Sequence, residues 1–330
     1  MRNSTKIALL IAGILLVAGG VCWSLALVLI RGDWQRLSLY SFDTNEQQRT
    51  YTVPAEEVTS LRIDTKDHTV RILVEDTDQI QINYVERQNE TYQLNVDDQG
   101  YLTVLQQTDR NWIQNWFPFP GWDSAAPDLV LTLPASLAGG AEIHTTSGNL
   151  YMEALSLSGP LQVETTSGDV KLTRIHIDDT FAFSSTSGDL QVDQCEMGKN
   201  ENHLKTTSGD MALIDCQIHG NLQSTTSSGE ASFLHVSITG DLSIRSTSGD
   251  LQVEAVSAQN FSFNTSSGDI AGVLWGDETM YSVQGSTTSG DVYLPTGNSQ
   301  GVLSLVAKTT SGDIHLTMEP SSEESITRSE

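Results

Sequence analysis

The chain has 330 residues, 42 acidic and 17 basic, for a formal net charge of −25. Residues 1–30 hold only two charged side chains, Arg2 and Lys6, so the remainder carries −27. Such a body repels phosphate backbones, which argues against nucleic-acid binding, and three cysteines are too few for a disulfide-built scaffold.

Residues 1–6 read as a short cytoplasmic leader. Residues 7–30 form an uncharged run, IALLIAGILLVAGGVCWSLALVLI. As a helix it spans roughly 36 Å, enough to cross a hydrocarbon core of about 30 Å with some tilt. A cleaved signal peptide is the alternative, but signal h-regions run about 7–15 residues and end in a small-x-small site, which is lacking here. Val21 before Cys22 also lacks the small side chain of a lipoprotein signal. Arg2 and Lys6 precede the run, while Arg31 and Arg36 follow it with Asp33, so the positive-inside rule leans slightly toward an external body. The expectation is a single-pass cell-membrane protein anchored through residues 7–30, with an extracytoplasmic C-terminal body behind a linker over residues 31–50.

Residues 51–140 lack the motif that dominates residues 141–318, yet Ile63 to Val70 can be laid in register on Ile143 to Leu150. They are predicted to form degenerate first coils and a cap over an open sheet edge. Within them, residues 110–122 bring together Trp112, Trp116, Phe117, Phe119 and Trp122 beside Pro118 and Pro120. Two readings stay open: a hydrophobic plug over the first coils, or an exposed aromatic patch for a glycan, the membrane surface or a partner.

Over residues 141–318 the pattern T-[TS]-S-G-[DNE], with Ser in place of the first Thr in some copies, recurs nine times. Its glycines are Gly148, Gly168, Gly188, Gly209, Gly229, Gly249, Gly268, Gly290 and Gly312. Two residues after each glycine the side chain is apolar throughout, from Leu150, Val170 and Leu190 to Ile314. Alternating apolar positions continue on both sides of the motif. Period-two alternation around a Ser-Gly corner marks half-buried strands. A repeat of about 20 residues is too short for a strand-helix-strand unit. One repeat cannot bury its own apolar face, whereas stacked repeats can. The predicted fold is all-β: a parallel β-helix or solenoid of ~20-residue coils behind one N-terminal transmembrane helix, its nine coils stacking over roughly 40 Å. The glycine answers a tight corner, by positive φ or by close backbone approach, and the neighbouring hydroxyls are placed to cap corner amides. Cys195 and Cys216 share a column with Leu155, Ile175, Val236, Val256 and Trp275, as stacked core thiols or as a disulfide. Residues 319–330 are expected to be a disordered acidic tail.

An acid follows nearly every repeat glycine. Stacked carboxylates at coil spacing repel by roughly 0.9 kcal/mol per neighbouring pair even in water, so either corner amides and hydroxyls or a divalent cation must relieve them. Asp169, Asp189, Asp210, Asp250, Asp269, Asp291 and Asp313 are accordingly the candidate Ca2+ ligands, against a purely structural reading as corner residues. No other cofactor is indicated. The seven histidines share no column, no metal-ligand spacing or phosphate-binding loop occurs, and no serine stands apart from its copies. An acid-cluster polysaccharide enzyme on a β-helix is therefore the minor alternative.

The recurrence of T-[TS]-S-G-[DN] behind an N-terminal anchor resembles the bacterial toastrack-type "putative adhesin" family, over roughly residues 50–318. The resemblance implies a β-strand repeat domain with no established activity and no catalytic residues. The expected function is a non-enzymatic adhesion or interaction module of the bacterial cell surface, meeting cell-wall glycan or another envelope protein. The alternative is an accessory or regulatory protein of an envelope-stress response.

Overall fold

The structure, a computed structural model, describes residues 46–87, 90–108 and 128–320. The apolar run 7–30, the aromatic insertion 110–122 and the tail beyond Pro320 lie outside the described residues. Among the described residues no helix is long and apolar enough to cross a membrane.

Residues 161–180 make one complete coil. In the strand Leu161–Thr165 the side chains of Leu161 and Val163 point inward and those of Gln162 and Glu164 outward. The motif then turns the chain into Val170–Thr173, where Val170 and Leu172 are buried. A second turn, with Arg174 at φ 53°, leads to the short strand His176–Ile177. Each coil in the middle of the stack thus places one strand on each of three faces, and the end coils lack the third. Stacking the coils gives three sheets of 12, 13 and 6 strands, here the first, second and third faces in chain order around a coil. The second face is roughly 58 Å from edge to edge at the usual strand spacing.

Like sits on like through the middle of the stack. Leu150 pairs with Val170, Val170 with Leu190, Leu190 with Met211, and Met211 with Ala231. The inward residues form one continuous core in which Phe181, Phe233, Phe261 and Phe263 are fully buried. Each such side chain removed from water contributes about 1.5–3 kcal/mol, and every coil depends on its neighbours for that burial. The register laid on Ile63–Val70 also holds, with Ile63 opposite Ile143 and Val70 opposite Leu150.

The second turn was not visible in the sequence. Ala154, Arg174, Gln194, Asp215, His235 and Ala255 all have φ between 52° and 58°. Glycine, asparagine or aspartate normally marks such positions, and of these the column contains only Asp215.

Two expectations of strictly sequential stacking are corrected. Trp275 does not continue the column of Cys195 and Cys216. A register shift between Glu254 and Val256 places Leu274 opposite Val256, so Leu274 is buried and Trp275 turns outward beside His235. The ends of the stack also do not follow chain order. Leu303–Lys308 lies between Phe261–Asn264 and Tyr281–Ser286, and Ile314–Glu319 lies between Ile270–Trp275 and Val292–Tyr293. The last coil in sequence is thus the last but one in space. The N-terminal end mirrors this. Ser60–Asp64 sits between Tyr101–Thr108 and Ala141–Thr145, and Val70–Val74 between Leu129–Leu133 and Leu150–Glu153. Beyond them the edges are covered by antiparallel strands, Gln47–Pro54 with Gln79–Glu86 on the second face and Glu90–Val96 on the first. The first of these begins at Gln47, inside the segment expected as linker.

Candidate functional site

The repeated motif forms the corner between the first and second faces. A Cβ built on Gly168 would run into the carbonyl oxygen of Gly148, and one on Gly188 into that of Gly168, both nearer than the 3.0 Å that real Cβ contacts respect. Glycine is required there by the backbone of the adjacent coil. In the first coil its place is taken by His68, whose carbonyl lies under Gly148. The first hydroxyl of the motif caps the corner: Gly168 N–H donates to Thr165 Oγ1 at 2.9 Å and Gly188 N–H to Ser185 Oγ at 2.7 Å. The same bond recurs at Thr206, Thr226 and Ser246.

The acidic column is tied into this corner. The amide of Asp189 donates to Asp169 Oδ1 at 3.1 Å, that of Asp210 to Asp189 Oδ1 at 2.9 Å, and that of Glu230 to Asp210 Oδ1 at 2.8 Å. The chain of bonds resumes from Asp250 to Asp269, Asp313 and Asp291, in that spatial order. Each bond is charge-assisted and opposes the repulsion between stacked carboxylates. Asn149 fills the same role toward Asp169, so the acceptor oxygen is common to the column and the charge is not. Among the described residues no group of three or more His, Cys, Asp or Glu is placed to hold a metal ion.

Outside the corner, titratable groups pair locally. Glu196 accepts hydrogen bonds from His219 at 2.6 Å and His176 at 3.0 Å on the third face. The bond from His219, opposed by burial and joined by the bond from His176, lowers its carboxyl below the ordinary 4.5. Near the N-terminal end His68 is buried against the Tyr92 hydroxyl, with Glu90 at 3.4 Å. Burial, then the charges of Glu90 and Asp67, push the Tyr92 phenol up. Cys195 and Cys216 are free and buried in neighbouring coils, and burial raises their thiols to about 11 and about 12. They are therefore packed as core thiols, with no disulfide.

One surface feature was not recognised from the sequence. On the first face, from Phe181–Ser185 to the C-terminal edge, two columns of outward residues flank the corner. One carries Ala182, His203, Gln223, Ser243, Ser262, Val306 and Gln284, and the other Ser184, Lys205, Thr225, Arg245, Asn264, Lys308 and Ser286. Neither contains a carboxylate. Lys205, Arg245 and Lys308 are exposed, stand two strands apart, and meet no carboxylate among the described residues. Elsewhere the arginines are neutralised, with Arg49 on Glu86, Arg62 on Glu142, Arg71 on Asp128, Arg87 on Glu46 and Arg174 on Glu153, while the exposed Lys66, Lys171 and Lys199 are scattered and, among the described residues, likewise meet no carboxylate. The signal was present in the residue preceding each motif, which changes from His144 and Glu164 to Lys205, Arg245 and Lys308.

The family model Toastrack DUF4097 matches residues 58–317. Among solved structures the chain is similar to a "putative adhesin" from Bacteroides fragilis, at 12% identity and a TM-score of 0.39, over 82% of this chain and 97% of that one. It is also similar to a "putative adhesin" from Parabacteroides distasonis, at 9% identity and a TM-score of 0.40, over 83% and 98% of the two chains. A "putative cell adhesion protein" from Clostridium sporogenes shares 10% identity at a TM-score of 0.23, over 83% and 100%. No curated protein matches.

Proposed function

From the premise that the chain belongs to the Toastrack DUF4097 family, we propose that it is a non-enzymatic interaction module held at the outer face of the cell membrane by residues 7–30. The observation that carries this reading is the uniformity of the corner. The same hydroxyl caps the same glycine amide, and the same carboxylate oxygen takes up the next coil's amide, in most copies. A catalytic site needs one nucleophile, acid or base set apart from the others by its neighbours. In this column six of the seven aspartates accept the amide of the coil above and Asp291, at the end of the stack, donates its own to Asp313, so we read the seven as corner anchors and not as cation ligands. What distinguishes one region of the body from another is its surface charge.

The test is labelling of whole cells with a membrane-impermeant thiol reagent after introducing a cysteine at exposed Thr296 or Ser299, followed by affinity capture from the same cells. Labelling together with capture of cell-wall material is the expected result. A body shielded from the reagent on intact cells, or turnover of wall glycan that a single Asp→Ala change abolishes, overturns the proposal. Capture of a membrane sensor without wall material moves the assignment to the envelope-stress reading.

A further inference from the structure

We infer that the carboxylate-free strip of the first face binds a linear acidic polysaccharide laid along the solenoid axis. This deepens the interaction-module reading and rests on it. Three properties of the strip define the ligand. Its columns run unbroken along the axis, because its residues belong to successive strands in strict register. Its cations, Lys205, Arg245 and Lys308, recur every second strand, roughly 10 Å apart. Between them stand neutral hydrogen-bonding side chains, Thr225 and Asn264, with Gln223 alongside. A linear polymer with a carboxylate on each sugar, every second one in step with a cation, and hydroxyls between them meets each property.

Charge decides against the other anionic polymers and surfaces. Duplex DNA presents a charge every 1.7 Å or so of its axis, and its binders use many phosphate contacts; three cations on a body of −27 are too few. An anionic bilayer calls for clusters of about 4–8 basic residues, and it would also meet the acidic corner beside the strip. A polysaccharide one chain wide can follow the cation column itself and stay off the acids at either margin, the corner carboxylates on one side and Glu201, 3.5 Å from His203, on the other. In a chain with 42 acidic residues, two adjacent columns without a carboxylate, one of them carrying a cation on every second strand, are the feature that needs explaining, and a ligand of opposite charge explains it.

The experiment uses the full chain in detergent, with polygalacturonate as the acidic polymer and dextran as its neutral counterpart. Duplex DNA and phosphatidylglycerol vesicles are the competing probes. The variant Lys205→Gln/Arg245→Gln/Lys308→Gln is compared with Lys171→Gln/Arg174→Gln/Lys199→Gln, which removes the same charge elsewhere. The expected result is polygalacturonate binding that falls about ten-fold or more in the first variant, as three exposed charge pairs together imply. The control variant keeps its binding, and dextran does not bind. Equal binding by the two variants, equal binding of dextran, preference for DNA or vesicles, or no polygalacturonate binding overturns the inference. Capture of isolated cell wall separates the two levels. Wall retained undiminished by the strip variant removes the strip while the module reading stands; failure to retain wall at all removes both.

Discussion

Gly188 shows what the motif selects for. Its backbone lies against the carbonyl of Gly168, so even one methyl group has no room. Gly188→Ala is expected to cost about 1–3 kcal/mol, the usual cost of overpacking, measured as a fall in denaturant midpoint. The second turn behaves in the opposite way. Gln194 is held at φ 53°, a conformation that disfavours a residue with a Cβ, so Gln194→Gly should raise stability by about 0.5–1 kcal/mol despite the added freedom of the unfolded chain. The acid column separates charge from hydrogen bonding. Asp189→Asn keeps an acceptor for the Asp210 amide and should leave stability unchanged or slightly higher, whereas Asp189→Ala should lower it by about 1 kcal/mol. A larger loss in the Asn variant than in the Ala variant, by thermal melting, would sink the anchor reading. The glycine and the acid were legible because each corner repeats. The turn at Gln194 was not, since Ala, Arg, Gln, Asp, His and Ala carry no consistent mark of a left-handed backbone.

At the level of strands, the third face shows how neighbouring coils are coupled by side chains. Glu196 sits between His176 and His219, each from a different coil. Its carboxyl is lowered in the folded state, so the stability it adds is present above the ordinary carboxylate pKa of 4.5 and is lost as pH falls through the lowered folded value. The melting-temperature difference between the native chain and Glu196→Gln should therefore shrink as the pH falls below 4.5. A difference that persists undiminished well below pH 4.5 would contradict this coupling. Strand pairing itself was largely readable, because apolar columns at two-residue alternation fix which face is buried and hence the register. The bulge that displaced Trp275 was not. It depends on how coil 251–256 meets coil 270–275 and leaves no trace in the composition of either.

Over the whole molecule, sequence predicted the stack but not the order of its ends. Nine near-identical motifs imply sequential winding, and nothing in TTSGD at 287–291 or 309–313 says which lies nearer to Gly268; the structure puts Gly312 there. This arrangement has a measurable outcome. Cleavage at a protease site engineered into the exposed turn at Asn298–Gln300 should leave residues 303–330 bound, because the strands Leu303–Lys308 and Ile314–Glu319 are hydrogen-bonded on both sides. Co-elution on size exclusion without denaturant is the expected result; release of the fragment would show that the pairing is weak. The basic row was likewise hidden at this scale, since it emerges only when one residue is taken from each coil and the coils are placed in spatial order.

The transposed ends also restrict how such a rod changes length. A coil duplicated at either terminus would have to displace a segment already clasped by its neighbours, whereas one copied between Ala141 and Trp275 meets the same partners above and below that its parent did. Growth by gene duplication is therefore confined to the middle. Relatives with longer or shorter bodies should differ by whole twenty-residue insertions there, between two bookends that keep their form.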